Sequence, residues 1–422
     1  MNRINWTGTL VVAIALAGPA YGINGTPTWF ESEVGVPLAS SYVSTPVLAF
    51  DHYGSAAVSW SSVSQVGGAH SVRYSQLQGF GQWNTRELAS AVGSGLRTSL
   101  SFDRSERPSV AWVNQNGSVQ ASFNLGAAQE LTATGANSTN PIVSLSHDLA
   151  GSLRGMYSRT TPTGNLFDIG YSGTLFSNAS MTTLSGVTSI LDAAMLADDR
   201  GLRQLAARVT LSAGNQGLVL ASEPFGGGSW SAVTHVAADN VTGVDLAMDP
   251  TDGRMAVAYS TRDNAGVSKL YYSKFNGFSM QTTELASSTN TFRYEDVSLA
   301  FDFSDGLPAI AYERKNTGSG AEELMFAYRD SVMWQLPVSP VDGTISMDAP
   351  GNKIRRPSLA FDDFGTSWPA IAYADSDGSL NVAFDPPVPE PGVLGLVIVG
   401  LAVVIQRRRR VYPCLSGRRA GV

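Results

Sequence analysis

A five-residue pattern returns seven times along this chain, and nearly every copy ends in aspartate after an apolar or small run. Ser298-Leu299-Ala300-Phe301-Asp302 is followed by a glycine-containing turn and then Pro308-Ala309-Ile310-Ala311-Tyr312. Ser358 to Asp362 leads in the same way to Pro369-Ala370-Ile371-Ala372-Tyr373. Val47 to Asp51 leads to Ala56 to Trp60, Ser99 to Asp103 to Pro108 to Trp112, and Leu246 to Asp249 to Ala256 to Tyr259. Two copies are degenerate, Ser144 to Asp148 and Met195 to Asp198. The anchor aspartates 51, 103, 148, 198, 249, 302 and 362 recur at a mean spacing of about 52 residues. A fixed period of that length is the signature of a propeller or a solenoid, because one such unit cannot bury its apolar face alone.

Each copy carries the same parts. An alternating strand ends in aspartate, and a turn joins it to a second strand rich in Ala, Val and Ile. A third follows, as in Lys269 to Tyr272 and Leu324 to Ala327, and a fourth opens near an aromatic: Trp83, Trp230, Phe278 or Trp334. Four antiparallel strands per repeat make one propeller blade. The ends favour a ring over a solenoid. The last repeat stops after its third strand, at Asp385, while Thr26 to Val34, with Trp29 at its head, reads as the missing fourth. The expectation is an all-β, seven-bladed β-propeller over residues 23–385, closed by its N-terminal strand, with no open sheet edge.

The aspartates are read as turn caps, since a carboxylate at a strand end bonds nearby backbone N–H groups. Asp249-Pro250-Thr251-Asp252-Gly253 and Asp375-Ser376-Asp377-Gly378 approach a calcium-loop spacing but lack its full oxygen set, so they too are read as turns. His52, His70, His147 and His235 fall at unrelated blade positions, which argues against a metal site. No Gly-x-Ser-x-Gly elbow and no phosphate-cradling loop occurs. No catalytic residue, metal or cofactor is therefore assigned. If the aromatic-led strands are outermost, the loops before each first strand and those joining second to third share a face. That face carries Arg97, Arg293, Tyr294, Glu295, Glu313, Arg314, Lys353, Arg355, Arg356 and Asp375. Of these, Arg97, Arg293, Tyr294, Arg355 and Arg356 form the candidate ligand face, for an acidic sugar or a peptide carboxylate.

The two ends differ from the body. Arg3, an apolar run from Leu10 to Ala17 and the small-residue exit Ala20-Tyr21-Gly22 have the three parts of a secretory signal, residues 1–22. After the proline-rich stop that starts the segment 386–422, Gly392 to Ile405 holds no charge, and Arg407 to Arg410 follow. As a helix those fourteen residues span about 21 Å, short of a roughly 30 Å hydrocarbon core. The arginines would keep their end cytoplasmic and leave the body outside. Seven of the 28 Lys and Arg lie in these ends, against one of the 35 acids, so the body is more acidic than the whole chain's net −7. That balance argues against nucleic-acid binding. The one cysteine, Cys414, lies past the arginines, so the body has no disulfide to rely on and must be held by core burial.

Pro389-Glu390-Pro391, the apolar stretch and Arg407-Arg408-Arg409-Arg410 together resemble the PEP-CTERM sorting signal of Gram-negative bacteria. The family pattern differs in one respect, since Val411 to Val422 continue past the arginines. The resemblance implies recognition and processing by an exosortase after Sec export, an inner-membrane intermediate held by the C-terminal apolar helix, and then the cell surface or extracellular matrix. The blade rhythm of residues 26–385 is similar to that of sialidase-like and BNR-like secreted propellers. Their Asp-box, Ser-x-Asp-x-Gly-x-Thr-Trp, is not met; Ser376-Asp377-Gly378-Ser379 is a fragment of such a turn, and sialidase chemistry does not carry over. The function expected is a non-catalytic structural role, or binding of exopolysaccharide or surface proteins. The alternative is a secreted glycan-active hydrolase or lyase using the loop face.

Overall fold

The computed structural model describes residues 29–385 apart from short stretches, the longest being 91–96, 132–141, 159–164, 224–230 and 341–347. The secretory signal, the Pro389-Glu390-Pro391 motif, the apolar segment and Arg407–Arg410 all fall outside the described residues. Within them every regular element is a strand. No helix there is long and apolar enough to cross a membrane.

The chain is an all-β propeller. Its strands form seven sheets of four or five members and one two-stranded ribbon, Asp348–Ala349 with Lys353–Ile354. Sheet 6 shows the plan: Phe292–Phe301, Pro308–Asn316, Glu322–Arg329 and Trp334–Val338 pair antiparallel in chain order. The first strands of sheets 1 to 7 begin or resume at Val47, Thr98, Val143, Val187, Asn240, Phe292 and Ser358. Each of these innermost strands touches the next, and that of sheet 7 touches that of sheet 1. Sheet 7 has the order Phe30–Gly35, Leu380–Phe384, Pro369–Ala374, Ser358–Phe361, so its outer strand comes from the other end of the chain. The register sets Phe30 opposite Phe384 and Ser32 opposite Val382.

Between neighbouring sheets the second and third strands pack on both faces, so they include stretches buried throughout rather than alternately, while first strands such as Val143–His147 and Ser358–Phe361 alternate. Pro108–Val113, Pro369–Ala374 and Leu380–Phe384 are fully buried runs. Their alternating alanines, such as Ala309, Ala311, Ala370 and Ala372, let neighbouring sheets approach closely where the ring is tightest. Farther out the wedge widens and aromatics fill it. Trp29 meets Phe326 edge-on at 5.0 Å, Trp83 stacks on Phe384 at 6.4 Å, and Trp334 lies 5.1 Å from Tyr272. In all three pairs an outer-strand aromatic packs on the third strand of the preceding sheet. Phe278 departs from the expectation. It lies in the turn ahead of Met280–Thr289 and is 96 % exposed, because a turn residue has no neighbouring sheet to pack against. Trp230 falls outside the described residues.

Side chains also sew the inner strands together. The Leu48 N–H donates to Ser358, Leu145 to Ser99, Leu359 to Ser298, and Leu299 to Asp245. In these four places the residue before a repeat leucine accepts from the next sheet's leucine, satisfying inner-strand N–H groups that face the channel rather than a partner strand. The anchor aspartates close their turns as expected. Asp51 accepts from the N–H groups of Tyr53 and Ser55, Asp103 from Ser105 and Arg107, and Asp302 from Ser304. Gly306 completes the last of these turns at φ 70°, a conformation costly for any residue with a Cβ. Asp148 and Asp198 lie outside the described residues.

Candidate functional site

Because the strands alternate in direction, each sheet's first-to-second and third-to-outer turns lie on one face. The second-to-third turns and the approaches to the first strands lie on the other. Inward from the centre of that second face is a cavity of about 180 Å³, lined by residues from the first strand of every sheet or its approach.

Arg97 stands just before Thr98–Phe102 and donates to Asp192, 95 residues away on the inner strand of sheet 4. Arg356, before the inner strand of sheet 7, donates to the other oxygen of Asp192 at 3.3 Å and to the carbonyl of Val244 at 2.9 Å. One carboxylate thus takes two guanidinium groups from separate sheets across the axis. Its side chain is 1 % exposed. Burial works to raise its pKa, but Arg356, Arg97 and Arg208 outweigh that and hold it below the usual carboxylate range. Arg208, on the second strand of sheet 4, donates to Gln216 and to the carbonyl of Thr242. Burial pulls its pKa down, whereas at Arg356 the facing Asp192, Asp245 and Asp296 outweigh burial and raise it.

A second set of acids lines the same end. Asp245 accepts from the Ser298 hydroxyl and the Leu299 N–H, and burial raises its pKa despite Arg356. Asp296 sits at a register shift between Glu295 and Val297 with φ 42°. Burial, then Asp192, pushes its pKa up to about 7 against the pull of Arg208. Gly243 makes room for that bulge: a Cβ there would lie 2.8 Å from the Asp296 nitrogen. Glu313, 1 % exposed and paired in register with Glu295, has one oxygen without a hydrogen-bond partner. Burial, then Asp296, holds its carboxyl well above the ordinary range.

Asp296 has a stability consequence of definite sign. An unfolded aspartate titrates near 3.9, so between about pH 4 and 7 the native state holds a proton that the unfolded chain has released. Stability attributable to this group therefore falls as pH rises through that window. Asp296→Asn is expected to flatten the slope and to be more stable than the parent above pH 7, as read by urea unfolding at pH 5 and pH 8.

The candidate ligand face is only partly assembled. Arg97 and Arg356 meet at Asp192, but Arg293 is not among the residues lining the central cavity. Tyr294 is buried, edge-on to Tyr312, and its carbonyl accepts from the Thr242 hydroxyl. It belongs to the core because its bulky side chain faces the neighbouring sheet rather than the channel. Arg314 is paired with Glu323 at 2.6 Å and lies over the Phe292 ring. Arg355 and the side chain of Lys353 fall outside the described residues. Sequence reasoning missed Asp192, Arg208, Asp245 and Asp296. Asp192 and Asp296 stand six residues before their anchor aspartates, Asp198 and Asp302, the same repeat position that Arg97 and Arg356 hold before Asp103 and Asp362, and that shared register is the signal that could have found them. Among the described residues no group of three His, Cys, Asp or Glu side chains is placed to hold a metal ion.

Strand pairing and axial cavity together define the class: a β-propeller with a charged central mouth. No protein-family model and no curated protein sequence matches the chain. Solved structures of similar overall arrangement include AofleA from Arthrobotrys oligospora, with 9 % identity, 70 % of this chain and 84 % of that one covered, and a TM-score of 0.49. A fungal lectin from Aleuria aurantia, described as a six-bladed β-propeller with a fucose recognition mode, has 12 % identity, 68 % and 90 % coverage, and a TM-score of 0.42. The α-L-arabinanase of Penicillium chrysogenum, solved with arabinobiose, has 11 % identity, 85 % and 98 % coverage, and a TM-score of 0.46. The propeller assignment stands on this chain's own pairing.

Proposed function

We propose that this is an exported surface propeller of seven blades, non-catalytic, with its charged mouth serving as a structural hub and a site for a small hydroxylated ligand such as one sugar unit. The count of seven is supported by the cyclic contact of seven inner strands. The observation that carries the functional reading is the bridge from Arg97 through Asp192 to Arg356. Asp192 offsets one of the two positive charges, and Asp245 and Asp296 also face Arg356, so the mouth leaves little unopposed positive charge for an acidic ligand. What it offers a ligand is a lining of hydroxyl, guanidinium and carboxylate groups, Ser144, Ser358, Arg356 and Asp245 among them, around about 180 Å³, below the roughly 300–1,000 Å³ typical of larger ligand sites. The test is a glycan array with purified protein, repeated with Asp245→Asn. Retention of a glycan by the parent and at least a tenfold loss in the variant is expected. Retention unchanged in the variant removes the mouth as the site, and no retention at all leaves the hub alone.

A second reading, a glycan hydrolase or lyase, is favoured by one feature: Asp192 is held ionised while Asp296 is pushed up to about 7 in the same site. Two carboxyls with pKa values driven apart are what acid–base chemistry uses. Polysaccharide turnover lost in both Asp192→Asn and Asp296→Asn would replace the non-catalytic reading with this one.

Export and sorting rest on residues 1–22 and on Pro389-Glu390-Pro391 with Arg407–Arg410. Deleting the four arginines should leave an unprocessed precursor in the membrane fraction, visible as a larger band. Unchanged surface display of mature protein would refute exosortase sorting.

A further inference from the structure

The two faces of the ring differ in a way that the central site does not explain. Among the described residues five large hydrophobic side chains are exposed: Tyr53, Phe278, Phe303, Val332 and Met333. Tyr53 and Phe303 lie in first-to-second-strand turns, after Val47–Phe50 and Phe292–Phe301. Phe278, Val332 and Met333 lie in third-to-outer-strand turns, after Val267–Phe275 and Glu322–Arg329. All five therefore stand on one face, opposite the charged mouth. At the centre of that face the channel opens into an apolar hollow of about 500 Å³ whose lining includes Phe50, Leu196, Met248, Phe301 and Phe361.

The chain also leaves the ring there. Phe384 pairs with Ala370, beside the turn that follows Phe361, so Asp385 ends the last blade on the hydrophobic face. Six residues, Pro386 to Pro391, separate it from the uncharged stretch Gly392–Ile405. At about 3.1 Å per residue for a proline-rich linker they reach about 19 Å. Strands of nine or ten residues such as Phe292–Phe301 make the ring about 30 Å tall at 3.3 Å per residue. A tether this short cannot bring the opposite face to the plane in which the apolar segment lies.

We infer that this hydrophobic face is presented to the phospholipid bilayer while the tail holds the chain there, leaving the charged mouth directed away from the membrane. The inference rests on the reading of Gly392–Ile405 as a membrane segment. The occupant is a lipid surface because the exposed apolar groups are turn tips spread over a broad face rather than gathered into one groove. The same face carries Arg104 and Arg254 beside Asp252 and Asp305, so its charge is mixed and anionic lipid is not required.

The test uses the full chain in a Cys414→Ser background, which removes the one native cysteine. Single cysteines at Phe303→Cys or Met333→Cys, and at Ser319→Cys in the opposite Asn316–Ala321 turn, carry an environment-sensitive fluorophore. The protein is reconstituted into phosphatidylcholine vesicles containing nitroxide-labelled lipid. Quenching at 303 and 333 at least threefold greater than at 319, with blue-shifted emission, is expected. Vesicle-associated protein with equal quenching at all three positions, or greater quenching at 319, overturns the orientation alone. Protein that fails to associate with the vesicles overturns both the orientation and the reading of the tail.

Discussion

Asp192→Ala is expected to lower stability by about 3–5 kcal/mol, the range for removing one partner of a buried ion pair. Arg97 and Arg356, with side chains 12 % and 19 % exposed, both lose their carboxylate partner, and neither can turn to solvent without vacating the channel wall. Arg208 loses a facing charge as well. The loss falls on three blades at once, so thermal unfolding should stay cooperative while its midpoint drops. The parent's acid sensitivity should change with it. Asp192 titrates below the ordinary range in the folded chain, so it contributes stability above the unfolded value of about 3.9 and loses it as pH falls through the lowered folded value. The variant should lack that acid-side decline. Scanning calorimetry at pH 7 and pH 3 reads both effects, and an unchanged midpoint at pH 7 would show that the bridge contributes nothing to closing the ring.

Deleting residues 23–35 is expected to be more damaging still. It removes Phe30–Gly35 from the edge of Leu380–Phe384 and leaves a buried, apolar third strand as an open edge. Trp29 leaves Phe326, and the Trp83 indole N–H loses the Ser32 hydroxyl, to which it donates at 3.0 Å. The first and last blades then lack the strand between their outer parts. An unpaired hydrophobic edge is a template for association, so size-exclusion chromatography should show soluble aggregate in place of monomer. A monomeric deletion variant with the parent's midpoint would mean that the ring holds without this strand.

Much of the ring was legible from single positions. The repeat leucine and aspartate located the inner strands because a buried strand end needs an apolar plug and a turn cap, whatever its neighbours. Trp29 ahead of Phe30 marked the closing strand, since the last repeat lacked an outer strand of its own. The aromatic positions served less well. Trp83 and Trp334 fill the wedge between sheets, while Phe278 projects from a turn; composition cannot tell a strand aromatic from a turn aromatic one or two residues before the strand. The serines ahead of the repeat leucines carry no local sign of their role, yet Ser99, Ser298 and Ser358 accept hydrogen bonds from the next sheet.

The charged mouth was legible only in part. Arg97 and Arg356 could be placed on the correct face because strand direction follows from the repeat. Asp192 holds the same place in its repeat, six residues before Asp198, but that both arginines meet this carboxylate, 95 and 164 residues from them in the chain, could not be read from spacing. Local spacing thus determined which residues turn, plug and cap, because those roles depend on neighbours a few positions away. Ring closure alone decided which charges meet, because it brings side chains from different blades to one axis, where low exposure makes each pairing count.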